Sequence, residues 1–343
     1  MKAVVYEGPR NLKLWNMPRP SPNRGEVLIE TKAVGICGSD LGIYKGEFSK
    51  IIPPLIIGHE GGGIVREIGT GIMDVKVGDY VAVSPILYCG KCEYCRQGKY
   101  SLCNSLRTIG MINAHGEYAE YFVAPEQNCH ILPESIPWPA VGLIDTLAGP
   151  VLAMQRLKLP LGATVAVFGP GPAGLFFTKL AKLSGATEVY LMGTRDERLA
   201  LGAEYGADLT VNVLHEDTKS MILKRTKGRG VDVVIEAAGS SQALNEAIAI
   251  LRKGGSLLLY GVYSDEPIAV PMLKFVLNEF NCFGIADNTN GYPLAIKLLE
   301  KGTINVNPLI THTFTIDELP DAFTSGLIEK RLDGYMKGVV IFE

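Results

Sequence analysis

Compact apolar runs separated by longer mixed stretches mark the middle of the chain: Thr164-Val165-Ala166-Val167-Phe168, Glu188-Val189-Tyr190-Leu191-Met192, Val231-Asp232-Val233-Val234-Ile235 and Ser256-Leu257-Leu258-Leu259-Tyr260. Runs of this kind, with helix-length segments between them, predict strands buried on both faces, and so a parallel sheet covered by helices on either side. From Met1 to Gly149 the pattern differs. Short apolar pieces (Val27-Leu28-Ile29, Gly63-Ile64-Val65, Tyr80-Val81-Ala82-Val83) are punctuated by glycine and proline, which predicts an irregular β-rich domain. After Ala286 come a helical pattern over Tyr292 to Glu300 and a closing strand, Gly338-Val339-Val340-Ile341-Phe342, in the manner of the first region. The expected architecture is α/β: residues 1–149 and 286–343 form one β-rich domain, and residues 150–285 a doubly wound parallel sheet.

Directly after the first of those strands, and directly before the helical Leu175–Leu180, stands Gly169-Pro170-Gly171-Pro172-Ala173-Gly174. In that setting the first glycine makes a tight turn, the second lets the backbone approach a pyrophosphate, and the third lets helix and strand pack closely. The helix start at Pro172, Ala173 and Gly174 then faces the phosphates with unpaired amides and the positive end of its dipole. A glycine turn alone is also an ordinary corner, but strand, turn, helix and further strands in order favour a dinucleotide. The second strand ends Met192-Gly193-Thr194-Arg195-Asp196-Glu197-Arg198, so Gly193 stands where an NAD enzyme places a ribose-binding carboxylate. A small residue there, followed by Thr194, Arg195 and Arg198, leaves room and donors for a 2′-phosphate, so NADP is expected over NAD. The competing reading makes Thr194 a helix cap, leaves Arg195 and Arg198 solvated, and turns Asp196 toward the ribose of NAD.

Five of the seven cysteines fall into two metal-ligand patterns. Cys89, Cys92, Cys95 and Cys103 are spaced to wrap one tetrahedral ion, which four thiolates would close to substrate; structural zinc is expected, with an iron–sulfur cluster or unmetallated thiols as the alternatives. Cys37, with Gly58-His59-Glu60, supplies a thiolate, an imidazole and a carboxylate that either binds the metal or sits behind it, the mixed donor set of a zinc site that keeps one position open. Cys129 and Cys282 are left as small buried hydrophobes. A formal net charge of -3 without a basic run argues against nucleic acid. Length of 343 residues suggests two domains, and no apolar run approaches the length of a membrane span. The start, Met1-Lys2-Ala3-Val4-Val5-Tyr6, runs straight into a strand without a signal peptide's apolar core, so a cytoplasmic location is expected, where thiols outnumber disulfides.

At these residues the chain resembles the zinc-dependent medium-chain alcohol or polyol dehydrogenases, the group that includes sorbitol and threonine dehydrogenases. The resemblance covers essentially the whole length. It implies a GroES-like catalytic domain built from both chain ends, with a Rossmann domain between them. It makes Cys37, His59 and Glu60 the catalytic-zinc set, and Asp145 stands where relatives place a further carboxylate ligand, so either Glu60 or Asp145 is expected to hold the ion. It also implies a hydride transfer in which Ser39 accepts the substrate proton. Many relatives carry a histidine three residues after that hydroxyl; here the position is Gly42, which leaves the proton's exit to water. Residues 44–52, Met111, Leu147 and residues 287–291 are expected around the substrate. The implied substrate is a polyol or sugar alcohol, with a simple secondary alcohol or an aldehyde as the alternative, and a non-catalytic zinc and NADP binder as the reading from another class. Similar enzymes are dimers or tetramers joined through the cofactor domain, so a homo-oligomer is expected.

Overall fold

The computed structural model describes residues 1–263, 267–329 and 332–343. It divides into two compact units, Met1–Ala148 with Asp287–Glu343, and Gly149–Ala286. The chain passes from the first into the second within the helix Ile144–Leu157.

The first unit is organised by the strand Glu26–Gly35. One of its edges pairs along its length with Glu60–Ile68; the other is shared by Tyr121–Pro125 and by the closing strand Lys337–Ile341, all antiparallel. The last strand of the chain therefore completes a sheet begun near its start, which is the physical reason that both termini fold into one unit. The sheet continues through Tyr80–Val83 to Cys129–Ile131 on one side, and to Ile310–Phe314 on the other. Side chains alternate across a strand, so Val27 and Ile29 enter one core with Val65, Val81 and Phe122, whereas Val34 belongs to a second with Tyr118, Phe323 and Val340. A separate three-stranded sheet joins Asn11–Asn16, Lys2–Gly8 and Leu55–Ile56.

The second unit carries a six-stranded, wholly parallel sheet in the spatial order Leu209–Asn212, Glu188–Gly193, Thr164–Phe168, Val231–Glu236, Leu251–Leu259, Asn281–Gly284. Winding outward in both directions from Thr164–Phe168 places a topological switch between that strand and Val231–Glu236, where such sheets bind ligands at their carboxyl ends. Val165, Ala166, Val167, Val189, Tyr190, Leu191 and Met192 are fully buried, as strands covered on both faces must be. The α/β class expected from the sequence is therefore the one found. Two strands had no signal in the apolar pattern, Leu209–Asn212 and Asn281–Gly284. They are the short outer strands of the sheet; Asn281, Cys282 and Gly284 are exposed, so Cys282 is not the buried hydrophobe expected from the sequence, whereas Val211 and Asn212 are buried.

Candidate active site

Cys37 caps the helix Gly38–Lys45, and the carboxylate of Asp40 in its first turn reaches back to accept the Cys37 amide at 2.9 Å. This capping arrangement fixes the thiol and Asp40 together. His59 directly precedes the interior strand that Glu60 opens, so both are set by that strand's first residues. One ligand atom from each of Cys37, His59 and Glu60 lies within 4.8 Å of the others. His59 presents Nδ1 to Asp40 Oδ1 at 3.3 Å and Nε2 to Ser39 Oγ at 3.3 Å. The Tyr118 hydroxyl donates to the other Asp40 oxygen at 2.8 Å. A carboxylate behind one ring nitrogen, although the 3.3 Å contact is not a regular hydrogen bond, favours the tautomer that leaves the other nitrogen to ligate.

Burial alone would lower the pKa of His59, but the charges of Asp40 and Cys37 drive it well above its ordinary value. Asp40 is held below the usual carboxylate range although burial opposes its charge, because His59, the Cys37 amide and Tyr118 all favour the ionised form. The site therefore asks for positive charge and offers sulfur, nitrogen and oxygen donors for it, which fits a borderline cation such as zinc.

Glu60 is engaged from behind. The buried ammonium of Lys337 lies against its Oε2, the Thr146 hydroxyl donates to Oε1 at 3.0 Å, and Lys337 also donates to Thr146 at 3.2 Å. Burial works against a charged lysine, yet Glu60 and the Cys37 thiol hold Lys337 above its ordinary value. Asp145 is not among the grouped ligand atoms; it accepts from the Tyr292 hydroxyl at 2.7 Å and from Asn288 at 2.6 Å. Burial, and then the charge of Glu60, push its carboxyl up to about 7. Glu117, fully buried, sits beside Gly61, with neither carboxyl oxygen in a regular hydrogen bond, and burial foremost pushes it well above its usual range. Asp40, Tyr118, Thr146, Glu117 and Lys337 were not singled out from the sequence. Only Asp40 carried a local sign, its spacing of three after the capping Cys37.

Two further positions show how this chain departs from a histidine-bearing pattern. A side chain at Gly42 would begin 2.5 Å from the Phe48 ring, so Phe48 fills that space. Tyr44 is buried against Phe323, with its hydroxyl 3.1 Å from Thr324, and is a core residue.

The four remaining metal candidates, Cys89, Cys92, Cys95 and Cys103, bring their sulfurs within 4.8 Å of one another, with Cys92 and Cys95 at 3.4 Å and Cys89 and Cys95 at 4.0 Å. A single tetrahedral zinc with bonds near 2.3 Å has sulfurs about 3.8 Å apart, so the set suits one ion. Backbone amides of Cys95 and Asn104 pull the Cys92 thiol down to about 6, while burial and neighbouring sulfurs push Cys95 up to about 12.

In the second unit Gly169 has φ +101, and a side chain at Gly174 would begin 1.8 Å from the Gly169 carbonyl, so both glycines are steric requirements. A side chain at Gly171 would meet no protein atom within 4 Å, which leaves the turn open toward a ligand. The helix Pro172–Leu183 starts there without a side-chain cap, so the first amides, including those of Ala173 and Gly174, are free for an anion. At the end of the second strand, a side chain at Gly193 would collide with Pro170 at 2.3 Å. Thr194 and Arg195 are exposed, Arg198 is half-buried, and Arg195 rather than Thr194 occupies the cap of the next helix. Asp196 accepts from Asn212 Nδ2 at 2.6 Å.

Residues 23–134 match the family description "Alcohol dehydrogenase GroES-like domain", and residues 172–301 match "Zinc-binding dehydrogenase". The chain is 34% identical over 330 residues to sorbitol dehydrogenase of Bacillus subtilis (strain 168), covering 95% of this chain and 94% of that protein. Among solved structures it is similar to a zinc-binding dehydrogenase from Sinorhizobium meliloti 1021 bound to NADP, with TM-score 0.92, 31% identity and 99% of each chain covered. An alcohol dehydrogenase from E. coli CFT073 complexed with the cofactor NADH is equally near in shape, with TM-score 0.92 and 31% identity over 100% of this chain and 99% of that one. With its cysteine lobe, its mixed-donor site and its glycine turn, the chain belongs to the zinc-dependent medium-chain polyol dehydrogenase family.

Proposed function

We propose that the protein moves a hydride between a secondary alcohol, foremost a polyol or sugar alcohol, and NADP. One observation carries this reading: a thiolate, an imidazole and a carboxylate from Cys37, His59 and Glu60 converge within 4.8 Å, in a chain that also bears an open dinucleotide turn. A zinc ion held by these residues supplies the Lewis acidity that makes an alcohol easier to deprotonate, and the nicotinamide supplies the hydride acceptor. Asp40 orients His59, and Ser39, 3.3 Å from His59 Nε2, takes the substrate's hydroxyl proton. With Phe48 packed over Gly42, water carries that proton onward. Glu60 is the better placed carboxylate for the ion, and Asp145 a supporting neighbour held by Tyr292 and Asn288.

The preference for NADP is supported by Gly193, which leaves no carboxylate at the strand end, and by Asp196, whose carboxylate is engaged by Asn212. Thr194 and Arg195 are exposed there and offer donors to a 2′-phosphate, with Arg198 behind them. Cys89, Cys92, Cys95 and Cys103 take a second, structural zinc. The apolar Phe48 and Met111, both partly buried beside the first unit's core, favour a simple secondary alcohol or aldehyde as the second reading. Association into a homo-oligomer is supported by the exposed Val262, Met272, Leu273, Val276 and Leu277 near the open edge strand Asn281–Gly284. A cytoplasmic setting suits seven cysteines of which none is in a disulfide.

The test combines metal analysis with a panel of sugar alcohols and small secondary alcohols, offered with each nicotinamide and followed by its reduction. The expected result is two zinc ions per chain and turnover of polyols with NADP. A single ion per chain without turnover of any substrate would leave only a binding protein.

A further inference from the structure

Glu60 differs from the other two donors in having a second seat already built for it. Lys337 and Thr146, 191 residues apart, hold one oxygen each and are bonded to one another. Lys337 opens the closing strand Lys337–Ile341, and Thr146 lies in the first turn of the helix Ile144–Leu157, so two different elements fix this seat. An ammonium so deeply buried is tolerated only against a carboxylate with good geometry, because its desolvation costs several kcal/mol. His59 has no such seat; what stands behind it is the anionic Asp40.

We infer that Lys337, with Thr146, is a positioning pair that draws the Glu60 carboxylate off the cation and so keeps a ligand position open for the substrate. The inference rests on the proposed metal site of Cys37, His59 and Glu60 and concerns its regulation by the protein. Its direction follows from charge. The buried acids Asp40 and Glu60, with the Cys37 thiol, face His59 and Lys337 as the protein cations among the described residues. Without Lys337, Glu60 has no counter-charge other than the ion and stays on it. The ion is then held more tightly and the open position is lost. A lysine that merely braced Glu60 as a ligand would give the opposite sign, with weaker metal binding on its removal.

The experiment uses the full chain loaded with Co2+, whose visible absorption reports the number of ligands at the Cys37 site. Lys337→Met is expected to slow loss of that ion to a chelator by about 10-fold or more, shift the cobalt bands toward the weaker absorption of a higher-coordinate ion, and lower kcat by about 10–100-fold. Lys337→Arg restores both the bands and the rate. Thr146→Val moves the same readouts in the same direction by a smaller factor, and serves where Lys337→Met does not fold. Unchanged or faster ion loss in the methionine and valine variants overturns the inference alone, while the wild type still carries two ions. A wild type that holds only the ion of the four-cysteine lobe overturns the metal-site reading and the inference together.

Discussion

Asp40→Asn isolates the role of the carboxylate behind His59, because the substitution preserves shape and removes only one acceptor. Asp40 Oδ2 receives both the Cys37 amide at 2.9 Å and the Tyr118 hydroxyl at 2.8 Å, so the asparagine oxygen is kept at that position by two donors. Its amide nitrogen must then stand where Oδ1 stood, 3.3 Å from His59 Nδ1. Two N–H donors cannot face one another, so the ring proton moves to Nε2, the nitrogen that faces Ser39 and that the proposed ion would take. Loss of such an orienting partner weakens metal affinity or activity by about 10–100-fold, equivalent to about 1.4–2.8 kcal/mol. The four-cysteine lobe shares no side chain with Asp40, so the ion proposed there would serve as an internal reference in a chelator competition that counts both proposed ions. The expected outcome is selective weakening of one ion per chain, with kcat falling in parallel and the unfolding transition little changed. If Asp40→Asn kept both ions within about twofold of the wild-type affinity, the tautomer argument would be refuted, since the geometry leaves the amide nowhere else to go.

Replacing both Thr194 and Arg195 by alanine removes exposed side chains and leaves the fold intact; if they grip a 2′-phosphate, KM for NADP rises by about 10–100-fold while that for NAD stays unchanged, and equal effects on the two cofactors would dismiss the assignment. Asp232 tests the cofactor unit's stability: it accepts from Arg229 at 2.6 Å, Arg252 at 2.6 Å and the Thr164 amide at 3.0 Å, and although burial opposes its charge these partners pull it down to about 2. A depressed folded-state pKa adds stability that is complete above the ordinary value near 4 and disappears as pH falls through about 2; allowing for solvent screening of the half-exposed Arg229, Asp232→Asn costs about 1 kcal/mol at pH 7. Thermal unfolding should show that deficit narrowing between pH 4 and pH 2, and a constant deficit would point to packing instead.

The buried parallel strands were legible because five-residue stretches with four apolar residues each leave little freedom for another arrangement, and Gly169 to Gly174 because a turn with these steric demands admits only glycine at its two crowded positions. The outer strands Leu209–Asn212 and Asn281–Gly284 were not: each is only four residues long, the first mixes Thr210 and Asn212 with its two apolar residues, and three residues of the second are exposed. The same division runs through the site. Cys37, His59 and Glu60 announce themselves by residue type, since thiolates, imidazoles and glycine-flanked carboxylates are uncommon in a plain core. Their supports do not: Tyr118, Thr146 and Lys337 are ordinary residues whose function arises only when the closing strand lies beside Glu26–Gly35 and brings position 337 against position 60. Asp145, expected from the resemblance alone, accepts hydrogen bonds from Tyr292 and Asn288 and is not among the three grouped donors. Lysine in a strand next to the C-terminus would ordinarily be assigned to solvent, and what takes it into the interior is the unpaired charge of Glu60. The acid at the metal site and the base behind it are thus a single electrostatic unit split across 277 residues of chain, and a change to either is felt first in the other.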